Sequence, residues 1–124
     1  MVAKWILFFA SILLLKSVAL TGTWTGEMTD VEGGRGEAYL QLQQDGDRIS
    51  GVAGPSKEHN WPIKNAIYID DKLTFGVSST DVNGIKSSWV FELKVDDDRM
   101  EGTAEGSHEG RSWKANINLT RQKP

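Results

Sequence analysis

From Gly22 onward apolar and polar residues alternate with a period of two, and no stretch sustains the 3.6-residue period of an amphipathic helix. The cleanest run is residues 85–95. Ile85, Ser87, Trp89, Phe91, Leu93 and Val95 share one face, and Lys86, Ser88, Val90, Glu92 and Lys94 share the other. Eight such strands are predicted. The first, 22–28, sets Trp24 and Met28 on one face; the second, 37–44, turns Ala38, Leu40 and Leu42 inward; the third, 48–53, turns Ile49, Gly51 and Ala53 inward. The fourth, 61–69, alternates Trp61, Ile63, Asn65, Ile67 and Ile69 on its inner side. The fifth carries Leu73, Phe75 and Val77, and residues 85–95 form the sixth. The seventh, 99–105, has Met100, Gly102 and Ala104 inward, and the eighth, 111–121, has Trp113, Ala115, Ile117, Leu119 and finally Arg121.

The pattern is written twice. At an offset of 51, residues 21–54 align with 72–105 through eleven identities in 34 positions: Thr23, Thr29, Asp30, Val31, Gly33, Leu42, Asp45, Asp47, Arg48, Gly51, Ala53 and their partners. Two repeats of four strands (21–71 and 72–122) predict an all-β fold, an eight-stranded antiparallel up-and-down barrel, with a two-sheet β-sandwich as the alternative. Closure would remove the sheet edges that invite aggregation. The outer positions are mostly Thr, Gln, Lys, Glu, Ser and Asn, which excludes an outer-membrane barrel with its apolar lipid-facing side. A barrel of this strand number is filled by side chains or holds one small ligand, and the small inward residues Gly26, Gly51, Ala53, Gly102 and Ala104 are expected to leave room.

Connection lengths separate the two ends. The connections at 45–47, 70–71 and 96–98 are tight and acidic, whereas those at 29–36, 54–60, 79–84 and 106–110 are longer. In an up-and-down arrangement the two kinds fall at opposite ends. Trp61, Trp89 and Trp113 are expected inside, toward the end ringed by long loops. Trp24 is expected toward the tight end with Arg121 beside it, since the first and last strands become neighbours.

The first residues read differently. Lys4, the apolar run 5–15 and the small residues of Ser17-Val18-Ala19 form a secretory signal peptide over 1–19, cut after Ala19, ahead of a β-barrel domain at 20–124. The apolar run is too short to span a bilayer, which takes about 20 residues. A secreted or periplasmic location follows, with no membrane association after cleavage. The 124-residue chain has no cysteine and so no disulfide framework. Its formal charge of −3 becomes about −5 once Lys4 and Lys16 are removed, which argues against nucleic acid or an anionic membrane as a partner.

Gly22-Thr23-Trp24 on the first strand, with an arginine ending the last, resembles the signature of the calycin barrels, the lipocalins and avidins. The resemblance implies that Trp24 packs across the closed end and that Arg121 stacks on it or bonds to nearby backbone. The resemblance covers three residues plus one, with strand count and size in agreement. The chain departs from these families where an avidin carries its polar biotin-binding set and where a lipocalin carries a helix after the last strand, so no ligand identity is implied. Small periplasmic protease-inhibitor barrels begin in a similar way but carry a disulfide.

The candidate ligand-binding residues are the lumenal Trp61, Trp89 and Trp113, with Asn65 and Ser87 as inward polar groups; the alternative is that these indoles plug the barrel. His59 and His108 are placed in open-end loops beside Glu58 and Glu109, where they would bind a divalent metal or titrate as a pair. No HxH or HxxxH spacing supports that, so they read as solvated loop residues and no metal site is predicted. The acidic run at 96–98 lacks the spacing and terminal Glu of a calcium loop and reads as a turn. Asn118-Leu119-Thr120 fits a glycosylation sequon but lies within a strand. With no nucleophile elbow, cysteine nucleophile or phosphate loop, neither catalytic residues nor a cofactor is predicted. The expectation is a non-catalytic exported barrel that binds a small apolar or aromatic ligand in its lumen. The alternative is an interaction or inhibitor module that meets a protein partner through its open-end loops.

Overall fold

The computed structural model describes residues 18–123, so most of the signal peptide read at 1–19 lies outside the described residues. Nine strands follow one another: β1 (Gly22–Asp30), β2 (Arg35–Asp45), β3 (Arg48–Gly54), β4 (Trp61–Pro62), β5 (Lys64–Ile69), β6 (Lys72–Thr80), β7 (Lys86–Asp96), β8 (Arg99–His108) and β9 (Arg111–Arg121). They form one antiparallel sheet in the order β4-β3-β2-β1-β9-β8-β7-β6-β5. The first and last long strands are neighbours, with Trp24 opposite Arg121 and Met28 opposite Ile117.

The sheet's hydrogen-bond ladder is not closed into a ring. Its two edges, β4 and β5, are nevertheless halves of one segment. Where a single fourth strand was expected over 61–69, the chain changes partner at Ile63. Trp61 and Pro62 pair with Ala53 and Val52 of β3, and the Ile63 amide donates to the Gly51 carbonyl at 3.0 Å. From Lys64 the chain pairs with β6 instead. A bulge between Lys64 and Ile67, with Asn65 at a φ of 55°, reverses the alternation. One extra residue sends every following side chain to the other face. Ile63, Ala66 and Tyr68 therefore pack against the core, whereas Asn65 is exposed and Ile67 and Ile69 are 55% and 64% exposed. This corrects the inward assignment of Asn65, Ile67 and Ile69.

Elsewhere the alternation is obeyed. Leu40 and Leu42 of β2, Leu73, Phe75 and Val77 of β6, Leu93 and Val95 of β7, Met100 of β8, and Ile117 and Leu119 of β9 join Trp24 in one core cluster. Leu20, ahead of the first strand, is also fully buried there. The inward glycines have a role other than leaving room. A Cβ on Gly26, Gly51 or Gly102 would run into the backbone carbonyl of Asn118, Gln41 or Glu92 on the adjacent strand. Strands that coil this tightly over one another need positions with no side chain.

The turns define two ends. Asp70 and Asp71, both in the left-handed region (φ 52° and 62°), make a two-residue hairpin turn whose twist matches the flanking strands. Gly46-Asp47 and Asp97-Asp98 close the other two-residue turns of this end. At the opposite end the connection expected to be a longer loop at 106–110 is instead another tight turn, Glu109-Gly110 (φ 51° and 79°), because β8 runs on to His108 opposite Arg111. Three longer loops remain there, at 31–34, 55–60 and 81–85.

Candidate functional site

The end with the tight acidic turns is tied together by local polar contacts. The Arg121 guanidinium carbon lies 4.3 Å from the centroid of the Trp24 ring. Its Nη1 donates to the Thr21 carbonyl at 2.8 Å, its Nη2 to the Ala19 carbonyl at 2.6 Å, and its Nε to Asp98 Oδ1 at 2.9 Å. The Trp24 indole N–H donates to the Leu20 carbonyl at 3.0 Å, and the Leu20 amide donates to Gln44 Oε1 at 2.8 Å. The Tyr68 hydroxyl donates to the Val18 carbonyl at 2.8 Å, and partial burial together with the neighbouring Asp71 carboxylate pushes its pKa from 10.0 up to about 12. Trp24 and Arg121 are thus brought together, as the strand pattern anticipated.

Beyond these contacts lies an apolar cavity of about 280 Å³. It is lined by Leu40, Leu93, Ile117 and Leu119 and by the aromatic residues Trp61, Phe75, Trp89 and Phe91. Phe75 and Phe91 stack at 4.8 Å between centroids, and Trp89 meets Phe91 at 6.4 Å. Pairing of β2 with β3 ends at Tyr39 opposite Gly54, so Glu37 and Ala38 have no β3 partner. Glu37, Tyr39 and Pro55 line the cavity on this side. No lysine, arginine or histidine lines it.

The sequence-derived candidates divide. Trp61 and Trp89 line the cavity, although Trp61 is 38% exposed. Trp113 does not line it. This indole is 39% exposed and meets Trp89 edge-on at 5.2 Å and 78°. Gly106 lies between the two in the strand register, and a Cβ there would stand about 3 Å from both rings. Trp113 therefore supports Trp89 from behind. Asn65 is on the exposed bulge, away from the cavity lining.

Ser87 is not a lining residue either; its Oγ is 2.6 Å from His108 Nδ1, tying β7 to β8. His108 thus sits on a strand, while His59 is exposed in the loop between β3 and β4, whose Glu58 is exposed as well. Glu109 occupies the tight β8–β9 turn. Among the described residues no group of three or more His, Asp or Glu side chains is placed to hold a metal ion.

Phe75, Phe91, Ala38 and Ala53 line the cavity without being candidates from the sequence, where their inward position in the alternation is the available signal. Glu37, Tyr39 and Pro55 carried no such signal, because the opening depends on where the β2–β3 pairing stops. The fold and site define an all-β protein built on one antiparallel sheet around an apolar cavity. No protein-family model matches the chain, and no curated protein matches it.

Proposed function

We propose that this is an exported, non-catalytic carrier that holds one small, mostly apolar molecule in the cavity bounded by Trp61, Phe75, Trp89 and Phe91. The observation that carries the reading is the cavity itself, about 280 Å³ and walled by aliphatic and aromatic side chains. An apolar void of this kind excludes water and gains free energy by accepting an apolar guest. The proposal includes a sheet curled into a calycin-like barrel with the segment 61–69 as its seam. In support, this segment bonds to β3 at one end and to β6 at the other, and Arg121 stacks on Trp24 at the end with the tight turns. Export rests on residues 1–19. Cleavage after Ala19 would leave Leu20 as the amino terminus, with its nitrogen in reach of Gln44 Oε1 at 2.8 Å, and would remove the Val18 and Ala19 carbonyls that Tyr68 and Arg121 bond.

The test is native mass spectrometry of the exported protein, purified without detergent. A reproducible small-molecule adduct that is released on denaturation and lost in Trp89→Ala supports the carrier. A clean protein mass, with no uptake of added apolar probes, overturns it.

One observation favours a second reading, in which loops recruit another protein. The β1–β2 and β6–β7 loops present Val31 and Val82 at 86% and 100% exposure. Unchanged partner recovery with Val31→Ser and Val82→Ser combined would dismiss it.

A further inference from the structure

The charge around the cavity's open side narrows the class of guest, and the argument rests on the carrier reading above. On the outer face, β1 and β2 place Glu27 directly opposite Glu37, two like charges on adjacent strands. The β3–β4 loop brings Glu58 and Lys57 to the same place. Glu27, Glu37, Lys57 and Glu58 wall one surface hollow together with Tyr39 and Pro55. Glu37, Tyr39 and Pro55 also line the apolar cavity, so the two spaces adjoin where β2 loses its β3 partner. Three carboxylates against one ammonium give this vestibule a net negative charge, and no ion pair neutralises Glu27, Glu37 or Glu58 among the described residues.

We infer that the guest is a cationic amphiphile, an amine on a compact aromatic or branched hydrocarbon body, with the body in the cavity and the ammonium in the vestibule. Three features agree. The cavity lining lacks any cation, so an anionic head drawn inward meets no partner and pays its full desolvation. The vestibule supplies carboxylates at the open side, which favour a positive head and repel a negative one. The cavity lining includes Trp61 and Trp89, and an indole favours a nearby cation over an anion. Fatty acids and other anionic amphiphiles are disfavoured on each count.

The test compares three probes that share one body: naphthylethylamine, naphthylethanol and naphthylacetate, titrated calorimetrically into the full exported protein at low salt. The amine should bind about fivefold tighter than the alcohol, and the carboxylate about fivefold weaker. Both differences should shrink at molar salt, because the head groups sit in partly exposed surroundings. Combining Glu27→Gln, Glu37→Gln and Glu58→Gln should abolish the preference for the amine over the alcohol and for the alcohol over the carboxylate. If the alcohol binds and the amine gains nothing, or the carboxylate binds as well as the amine, the inference falls and the carrier reading stands. If none of the three binds, the carrier reading falls and takes the inference with it.

Discussion

The Arg121 guanidinium carbon lies over Trp24, 4.3 Å from the ring centroid, and joins the last strand to the first. The same side chain bonds the Thr21 carbonyl and the Asp98 carboxylate, and in the uncleaved chain the Ala19 carbonyl, so one residue ties the segment ahead of β1, the β7–β8 turn and β9 together. Arg121→Ala should lower stability by about 2–4 kcal/mol, the worth of charged hydrogen bonds plus a cation–π contact. Arg121→Lys should recover less than half of that, because an ammonium cannot stack and fork at once. Urea midpoints at constant m-value report both, and a lysine variant as stable as the parent would refute the role of planarity.

Tyr68 makes stability depend on alkaline pH. Its hydroxyl is protonated in both folded and unfolded chains below pH 10, and there its contribution is complete. As pH rises from 10.0 to about 12 the unfolded chain gives up this proton first, so stability falls across that window. In the uncleaved chain, which keeps Val18, Tyr68→Phe loses the bond to the Val18 carbonyl, about 1 kcal/mol at neutral pH, but its stability should decline less steeply above pH 10. Parallel declines in the two proteins, followed by denaturant titration, would exclude Tyr68 as the source.

Ala38 faces the cavity at 5% exposure. Ala38→Leu should fill part of the void, weaken binding of an apolar probe by about tenfold or more and leave the thermal midpoint nearly unchanged. In a fully packed interior the same change would cost about 1–3 kcal/mol through overpacking. A large fall in the midpoint would therefore mean that no usable space exists beside Ala38.

The loops that contain Val31 and Val82 are built alike. Asp30 Oδ1 accepts from the Glu32 and Gly34 amides at 2.9 and 2.8 Å, and Asp81 Oδ1 accepts from the Asn83 and Ile85 amides at 2.8 and 3.0 Å. Asp30→Ala and Asp81→Ala should each cost about 1 kcal/mol, and the double variant should lose the sum, since the two loops share no partner. A strongly unequal pair of losses would show that the shared sequence does not carry shared energetics.

Gly102→Ala places a methyl group against the Glu92 carbonyl of the neighbouring strand. It should cost about 3 kcal/mol or more, or prevent folding, because the clash is with strand backbone rather than with a side chain that can move aside. Recovery of a folded variant of parental stability, judged by circular dichroism and urea unfolding, would mean the strands can separate there.

Local pattern determined most of this protein by itself. A period of two obliges successive side chains to alternate faces, so the pattern alone assigns Leu40, Leu42, Phe75, Leu93, Ile117 and Leu119 to the core. The duplicated phrase at an offset of 51 likewise marked Asp30 and Asp81 as equivalent, and the neighbouring ends of the first and last strands put Arg121 beside Trp24. Tertiary structure decided the rest. Ile63 changes pairing partner and Asn65 bulges, because β3 and β6 compete for one segment, and no alternation within that segment records the competition. The result turned Ile67 and Ile69 outward and removed Asn65 from the site. His108 was drawn from a loop onto β8 by ladder bonds that reach Arg111. The cavity and the outer hollow share Glu37, Tyr39 and Pro55 where β2 outruns β3 beyond Tyr39, a difference in strand length that appears only when the two are paired.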